Sequence, residues 1–214
     1  MMMNLFSTFD PSTGMMSINW ISMVMPMIII PIKFWNNSNK MMLTMKNINM
    51  FMFNEIKSSL KLKGSSIIMI SLMTYILITN MNGLLPYMFT SSSHLSFSLA
   101  MAFPMWLSSM IFGWINKPKM MLIHLIPMGT PTMLMPFMVL IESISNLIRP
   151  GSLAVRLSAN MIAGHLIMAL LGSNHTYTLF VMIILMILMT FELAVSTIQA
   201  YVFTTLINLY SSEM

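Results

Sequence analysis

The chain has 214 residues, of which 57% are hydrophobic and only 7% charged, with a formal net charge of +5 and a mean hydropathy of +0.82. A soluble fold of this size needs far more polar surface, so the composition indicates an integral membrane protein. Zero cysteines exclude disulfides, thiolate ligands and thiol redox chemistry, and His94, His124, His165 and His175 lack metal-ligand spacing, so no metal or other cofactor is expected.

The opening "MMMNLFSTFDPSTG" has neither a charged n-region nor a small-residue cleavage site, so the first apolar run, Met15 to Ile32, is expected to remain as a membrane helix within an N-terminal segment, 1–32. Residues 33–64 carry Lys33, Lys40, Lys46, Lys57, Lys61 and Lys63. Within them "MKNINMFMFNEIKSSLKLKG" mixes Met, Phe, Ile and Leu with Lys, which suits a helix lying on the membrane surface with its lysines reaching toward headgroups; the other reading is a solvated loop. Apolar runs Ser65 to Phe89 and Leu95 to Ile115 predict a helical hairpin over 65–115, joined by the lysine-free "TSSSH". Lys117 and Lys119 follow, and then apolar runs fill 120–209.

Helices of about 20 residues cross a hydrocarbon core of about 30 Å. The runs are continuous rather than alternating, which excludes a barrel. The predicted fold is therefore an all-α polytopic membrane helix bundle, a single integral membrane domain over 1–214. It has about five membrane-crossing helices, a surface amphipathic helix and two long C-terminal helices. These last, Phe137 to Gly172 and Thr176 to Leu209, would run roughly 50 to 54 Å at 1.5 Å per residue. They must tilt steeply, and steep tilt requires a partner surface. Pro127, Pro131 and Pro136 break the entry to the first of them, Pro150 and Gly151 can kink its middle, and "GSNHTYT" turns the chain between the two.

The lysines place residues 33–64 and the 117–119 loop on the inner side, with the N-terminus outside. Buried polar residues then sort by depth. Glu142 falls in the inner half of the first long helix, Arg156 near its middle and His165 in its outer half. On the returning helix Glu192 is outer to middle, Gln199 middle and Glu213 at the inner end, while Asn80 lies toward the outer end of the second run. Two groups of polar or titratable side chains separated by a central arginine are the layout of two offset half-channels.

Each of these residues has a plainer reading. Intramembrane ionisable groups usually mark ion or proton pathways, yet Glu142 can simply pair with Arg149 on nearly the same helical face, and His165 can be a satisfied core histidine. Glu192 has no basic residue within two turns of its own helix, so a purely structural pair needs another helix. Gln199 and Asn80 can serve as interhelical hydrogen-bond glue. Asn160 either orients Arg156 or packs, and Arg149 is assigned no role. A secondary transporter would require an internal repeat with paired helix breaks, which the sequence lacks. A purely structural subunit would not need Arg156 and Glu192 in the core.

The stretches "LAVRLSANMIAGHL" and "FELAVSTIQAYVFTTLINLY", with "NLFSTFDPST", "NGLLPY" and "PGSLAVRL", resemble the subunit a family of mitochondrial rotary ATP synthases. The resemblance implies a non-catalytic subunit that conducts protons to and from the carboxylates of a rotating c-ring. Arg156 matches the family's essential arginine; Asn80, Asn160, His165, Glu192 and Gln199 fall at outer half-channel positions, and Glu142 and Glu213 at inner ones. Implied partners are the c-ring, other membrane-sector and peripheral-stalk subunits, lipids and the transported proton, with no nucleic acid. The implied location is the mitochondrial inner membrane, N-terminus in the intermembrane space and C-terminus toward the matrix.

Overall fold

A computed structural model of the chain describes residues 5–12, 16–30, 39–59, 64–86, 88–126, 129, 131–173 and 178–213. Lys33, Lys61, Lys63, Pro127, His175 and the turn at 174–177 lie outside the described residues, as do the side chains of His124 and Glu213. The helices are α1 (Met25–Ile29), α2 (Lys40–Ser59), α3 (Ser65–Gly83), α4 (Leu95–Asn116), α5 (Pro118–Leu125), α6 (Met135–Gly172) and α7 (Thr178–Glu213). Short 3-10 turns cover Leu5–Phe9, Ile18–Met23, Ser91–Ser93 and Thr132–Leu134. Among the described residues the regular structure is entirely helical.

Among the described residues, four helical stretches are long and apolar enough to cross a membrane: 65–83, 95–116, 132–172 and 178–212. The first apolar run forms a shorter apolar helix, Ile18–Ile29. It begins as a 3-10 turn and continues as α1, with Pro26 inside the first turn of α1, where its missing N–H costs no helical hydrogen bond. The Tyr75 hydroxyl donates to the Met23 carbonyl at 3.1 Å and ties this helix to α3.

Which face each helix buries follows from its sequence. On α3 the buried positions Ser66, Met69, Met73, Ile76, Asn80 and Gly83 recur every three or four residues. On α6 Leu153, Ala154, Leu157, Ser158, Met161 and Gly164 do the same. On α7 the buried stripe is Ser196, Ala200, Phe203, Thr204 and Ile207. This spacing sets a stripe along one face of each helix, and the stripes meet where α3 packs on α7, α4 on α6 and α6 on α7. Ala102, Ala154 and Ala200 lie in the shared core beside Ile76, Leu157 and Phe203, and such small residues let helix backbones approach closely where lipid offers no hydrophobic drive to association.

The lysine-bearing segment forms helix α2 rather than a loop. It docks on α3 and α7 through Met52 and Ile56, which are buried, while Lys40, Lys46 and Lys57 are exposed. Gly64, at φ +103°, turns the chain from this segment into α3 in a left-handed conformation that side chains other than hydrogen strain to adopt. The expected hairpin loop is a compact turn instead: Ser91, Ser92 and Ser93 are all buried, and the Ser93 hydroxyl donates to the Thr90 carbonyl at 2.7 Å.

The two long helices have 38 and 36 residues, about 57 and 54 Å at 1.5 Å per residue. Helix α6 passes through Pro150 and Gly151 without interruption, and Pro150 is buried. The break expected before it falls between α5 and α6, where Pro131 precedes the last 3-10 turn and Pro136 sits in the first turn of α6.

Candidate functional site

The buried stripe of α6 leaves Arg156 and Asn160, four residues apart, on the exposed flank of the helix. Opposite them α7 presents Val195, Ile198, Gln199 and Val202, again at helical spacing. The two helices enclose a groove of about 230 Å³ lined by Arg156, Asn160 and Gln199 among Leu153, Leu157 and Phe203. Gln199 is only 8% exposed. Its amide nitrogen donates to the Arg156 carbonyl at 3.3 Å and thereby joins the two helices at the arginine, while its Oε1 is buried without a protein partner among the described residues. The Arg156 guanidinium has no carboxylate within ion-pair distance among the described residues. A cation that always carries its proton thus stands, with the amides of Asn160 and Gln199 beside it, on an open and mostly apolar flank, where burial against lipid alone is costly.

Two turns or more toward the end that holds the N-terminal segment, the same helices bring His165 and Glu192 into place. Glu192 is 8% exposed and its carboxylate lies flat against Gly164: a Cβ added to Gly164 would overlap both carboxylate oxygens. The glycine is therefore part of the site. It escaped the sequence-based selection, although "AGH" placed it beside His165, because only the pairing of α6 with α7 reveals what occupies the missing side chain's volume.

His165 is half-buried, its Nε2 has no partner among the described residues, and its ring stands edge-on to Phe9 with centroids 6.3 Å apart. It lines a second, larger cavity of about 470 Å³, whose other walls are the N-terminal segment and the chain around Leu84 to Thr90. Asn80, predicted to join this group, is fully buried on α3 with both amide atoms unpartnered among the described residues. It lines neither cavity. A buried amide left without partners costs about 1–3 kcal/mol, and buried water is the usual way to satisfy such groups.

At the opposite end of α6, Glu142 pairs with Arg149 at 3.8 Å, and the Arg149 guanidinium lies over the Tyr210 ring of α7 at 5.0 Å. The pairing expected of Glu142 is thus present, and Arg149 joins α6 to α7. Neither i+7 spacing nor the tyrosine alone signalled a three-residue cluster across two helices. Glu213 ends α7. No grouping of His, Cys, Asp or Glu able to hold a metal ion occurs among the described residues.

The sequence profile of the ATP synthase A chain matches residues 15–212. Similar proteins include ATP synthase subunit a of Locusta migratoria, 49% identical, that of Anopheles quadrimaculatus, 50% identical, and that of Drosophila yakuba, 47% identical. Each alignment covers 100% of both chains. A match over nearly the whole chain, at about half identity and across the two long helices that carry Arg156, His165, Glu192 and Gln199, establishes that the chain belongs to the ATP synthase A chain family.

Proposed function

We propose that the chain is the proton-conducting subunit of the mitochondrial rotary ATP synthase, non-catalytic by itself, and that it passes protons through two offset half-channels to and from the carboxylates of a c-ring. The observation that carries this reading is Arg156: a permanent cation, without a carboxylate partner among the described residues, on the open flank between two helices far longer than a bilayer needs. A ring of helices packed on that flank supplies both the partner surface that long tilted helices require and the carboxylate that the guanidinium lacks. Ala159 and Ala163, exposed on the same side of α6, leave room for close approach.

Arg156 works through charge. It lowers the proton affinity of an approaching carboxylate, so the carboxylate sheds its proton before passing and cannot carry it straight across. Each proton crossing releases roughly 2.3 kcal/mol per 100 mV, and this becomes rotation only if the ring must turn between the half-channels. His165, Glu192, Asn160, Gln199 and Asn80 form the outer half-channel. The unpartnered buried atoms of His165, Gln199 and Asn80 supply sites for the water that links them. Glu142 and Glu213 form the inner one. By the lysine distribution the N-terminus faces the intermembrane space and the C-terminus the matrix. Further partners are other membrane-sector and peripheral-stalk subunits and inner-membrane lipids.

The test is a structure of the assembled membrane sector. A ring carboxylate passing within hydrogen-bond reach of Arg156 is the expected result; a ring seated on α4, or on the α2 side of α7, overturns the reading.

A further inference from the structure

The larger cavity has an asymmetric wall. Its α6 and α7 side is apolar apart from His165, with Met168, Ala169 and Met189, whereas the N-terminal segment contributes Ser7, Thr8, Asp10 and Asn19. That segment is held in place at several points. The His94 Nε2–H donates to the Phe9 carbonyl at 3.0 Å. The His94 ring is itself fixed against Trp20 and Phe89, with centroids 5.1 and 5.3 Å apart. Asn19 donates to the Asp10 carbonyl at 3.4 Å, and Phe9 meets His165 edge-on. Asp10 follows the 3-10 turn directly and is exposed. The result is an exposed acidic residue on the wall of a cavity of about 470 Å³ that is also lined by His165, a volume ample for several waters.

We infer that Asp10 is the proton-collecting group at the mouth of the outer half-channel, held there by the Phe9–His94 hydrogen bond, and that it delivers protons through cavity water to His165. This rests on the proposed conducting role of His165. A surface carboxylate attracts protons and shortens their search for a small opening, as charged clefts do for other cations. Its placement beside an uncharged, largely apolar wall makes it the natural first acceptor. Among the described residues that line the cavity, His165 on α6 is the titratable side chain besides Asp10. His94, at the start of α4, holds the neighbouring Phe9 carbonyl, Glu192 on α7 lies deeper against Gly164, and the remaining charged groups of α6, Arg156, Arg149 and Glu142, lie further along that helix. His94 is committed to the Phe9 carbonyl, which leaves His165 as the next acceptor.

The test uses inner-membrane vesicles containing the assembled complex, with proton-driven ATP synthesis measured as the pH on the N-terminal side is varied. In Asp10→Asn the rate should fall by up to roughly tenfold where protons are scarce, the lower end of what charge focusing contributes to capture rates. It should return to wild type at low pH on that side, and Asp10→Glu should restore the wild-type profile. An unchanged profile in Asp10→Asn, or a loss equal at every pH, overturns the inference, the second outcome marking a structural role. Arg156→Ala in the same vesicles separates the two readings: if it abolishes synthesis while Asp10→Asn is silent, only the collecting role fails. If it too leaves synthesis intact, the conducting role itself is wrong.

Discussion

Two arginines lie seven residues apart on α6, and the fold treats them in opposite ways. Arg149, partly exposed, is held by partners within the molecule, a carboxylate of its own helix at 3.8 Å and a tyrosine ring of α7 at 5.0 Å. Arg156 is exposed, with an apolar groove beside it and no carboxylate in reach among the described residues. The first has the environment of a structural charge, whose cost is offset inside the molecule. The second leaves its cost to be offset by something outside, as a gate that must meet a moving carboxylate requires. Both are guanidinium groups in the same greasy helix, so the residue type carries no distinction between them; the difference lies in which flank of α6 faces the core.

The largest expected effect comes from removing the open arginine. Arg156→Ala should abolish coupled synthesis and introduce a passive proton leak through the assembled complex, because a ring carboxylate could then pass while still protonated. Arg156→Lys should fail as well, since ammonium lacks the planar fork and loses its proton more readily when buried. Near wild-type flux in an assembled Ala variant would make the two arginines equivalent and remove the contrast.

Next comes the contact of Glu192 with Gly164. Gly164→Ala places a methyl group where the Glu192 carboxylate lies, and because that carboxylate is wedged between α6 and α7, it must move. If Glu192 relays protons, synthesis should slow by roughly 100-fold, the lower end for losing a positioned acid–base group, with assembly retained. Glu192→Gln should slow it similarly. A fast Gly164→Ala variant would show that the position of Glu192 does not matter to flux.

Smaller effects are expected at the internally paired arginine. A partly exposed ion pair contributes about 0–1 kcal/mol and a cation–π contact about 0.5–1 kcal/mol, so Arg149→Ala should lower the thermal stability of the complex modestly while keeping most of its flux. Glu142→Gln sharpens the point. If Glu142 is an inner relay, this variant slows synthesis more than Arg149→Ala does; equal stability losses with unchanged flux would leave Glu142 only its ion pair.

The orientation that assigns outer and inner sides can be checked without altering any of these groups, since the chain has no native cysteine. Cysteines at Ser12 and Ser58, both exposed, should react with an impermeant thiol reagent from opposite sides of the membrane. Reaction of both from one side would reverse the depth order on which the half-channels rest.

Composition and hydrophobic runs by themselves determined the class of the protein, the positions of its long helices and the helical state of the lysine-bearing α2, though not where α2 docks. Apolar length is a property of contiguous residues, and the bilayer selects it directly. The same local rule located Arg156, His165, Glu192 and Gln199 as anomalies in apolar surroundings. It did not locate Gly164 or the Tyr210 ring beside Arg149, although it paired Arg149 with Glu142, and it read the serine turn at 91–93 as an ordinary loop although those residues are buried. Nor did it bring Asp10 to the cavity that holds His165, more than 150 residues away in sequence. Only the tertiary structure decided these, because each depends on the rotation of α6 and α7 about their axes and on where the N-terminal segment comes to rest. Pairing between distant segments sets both, and no local pattern encodes them.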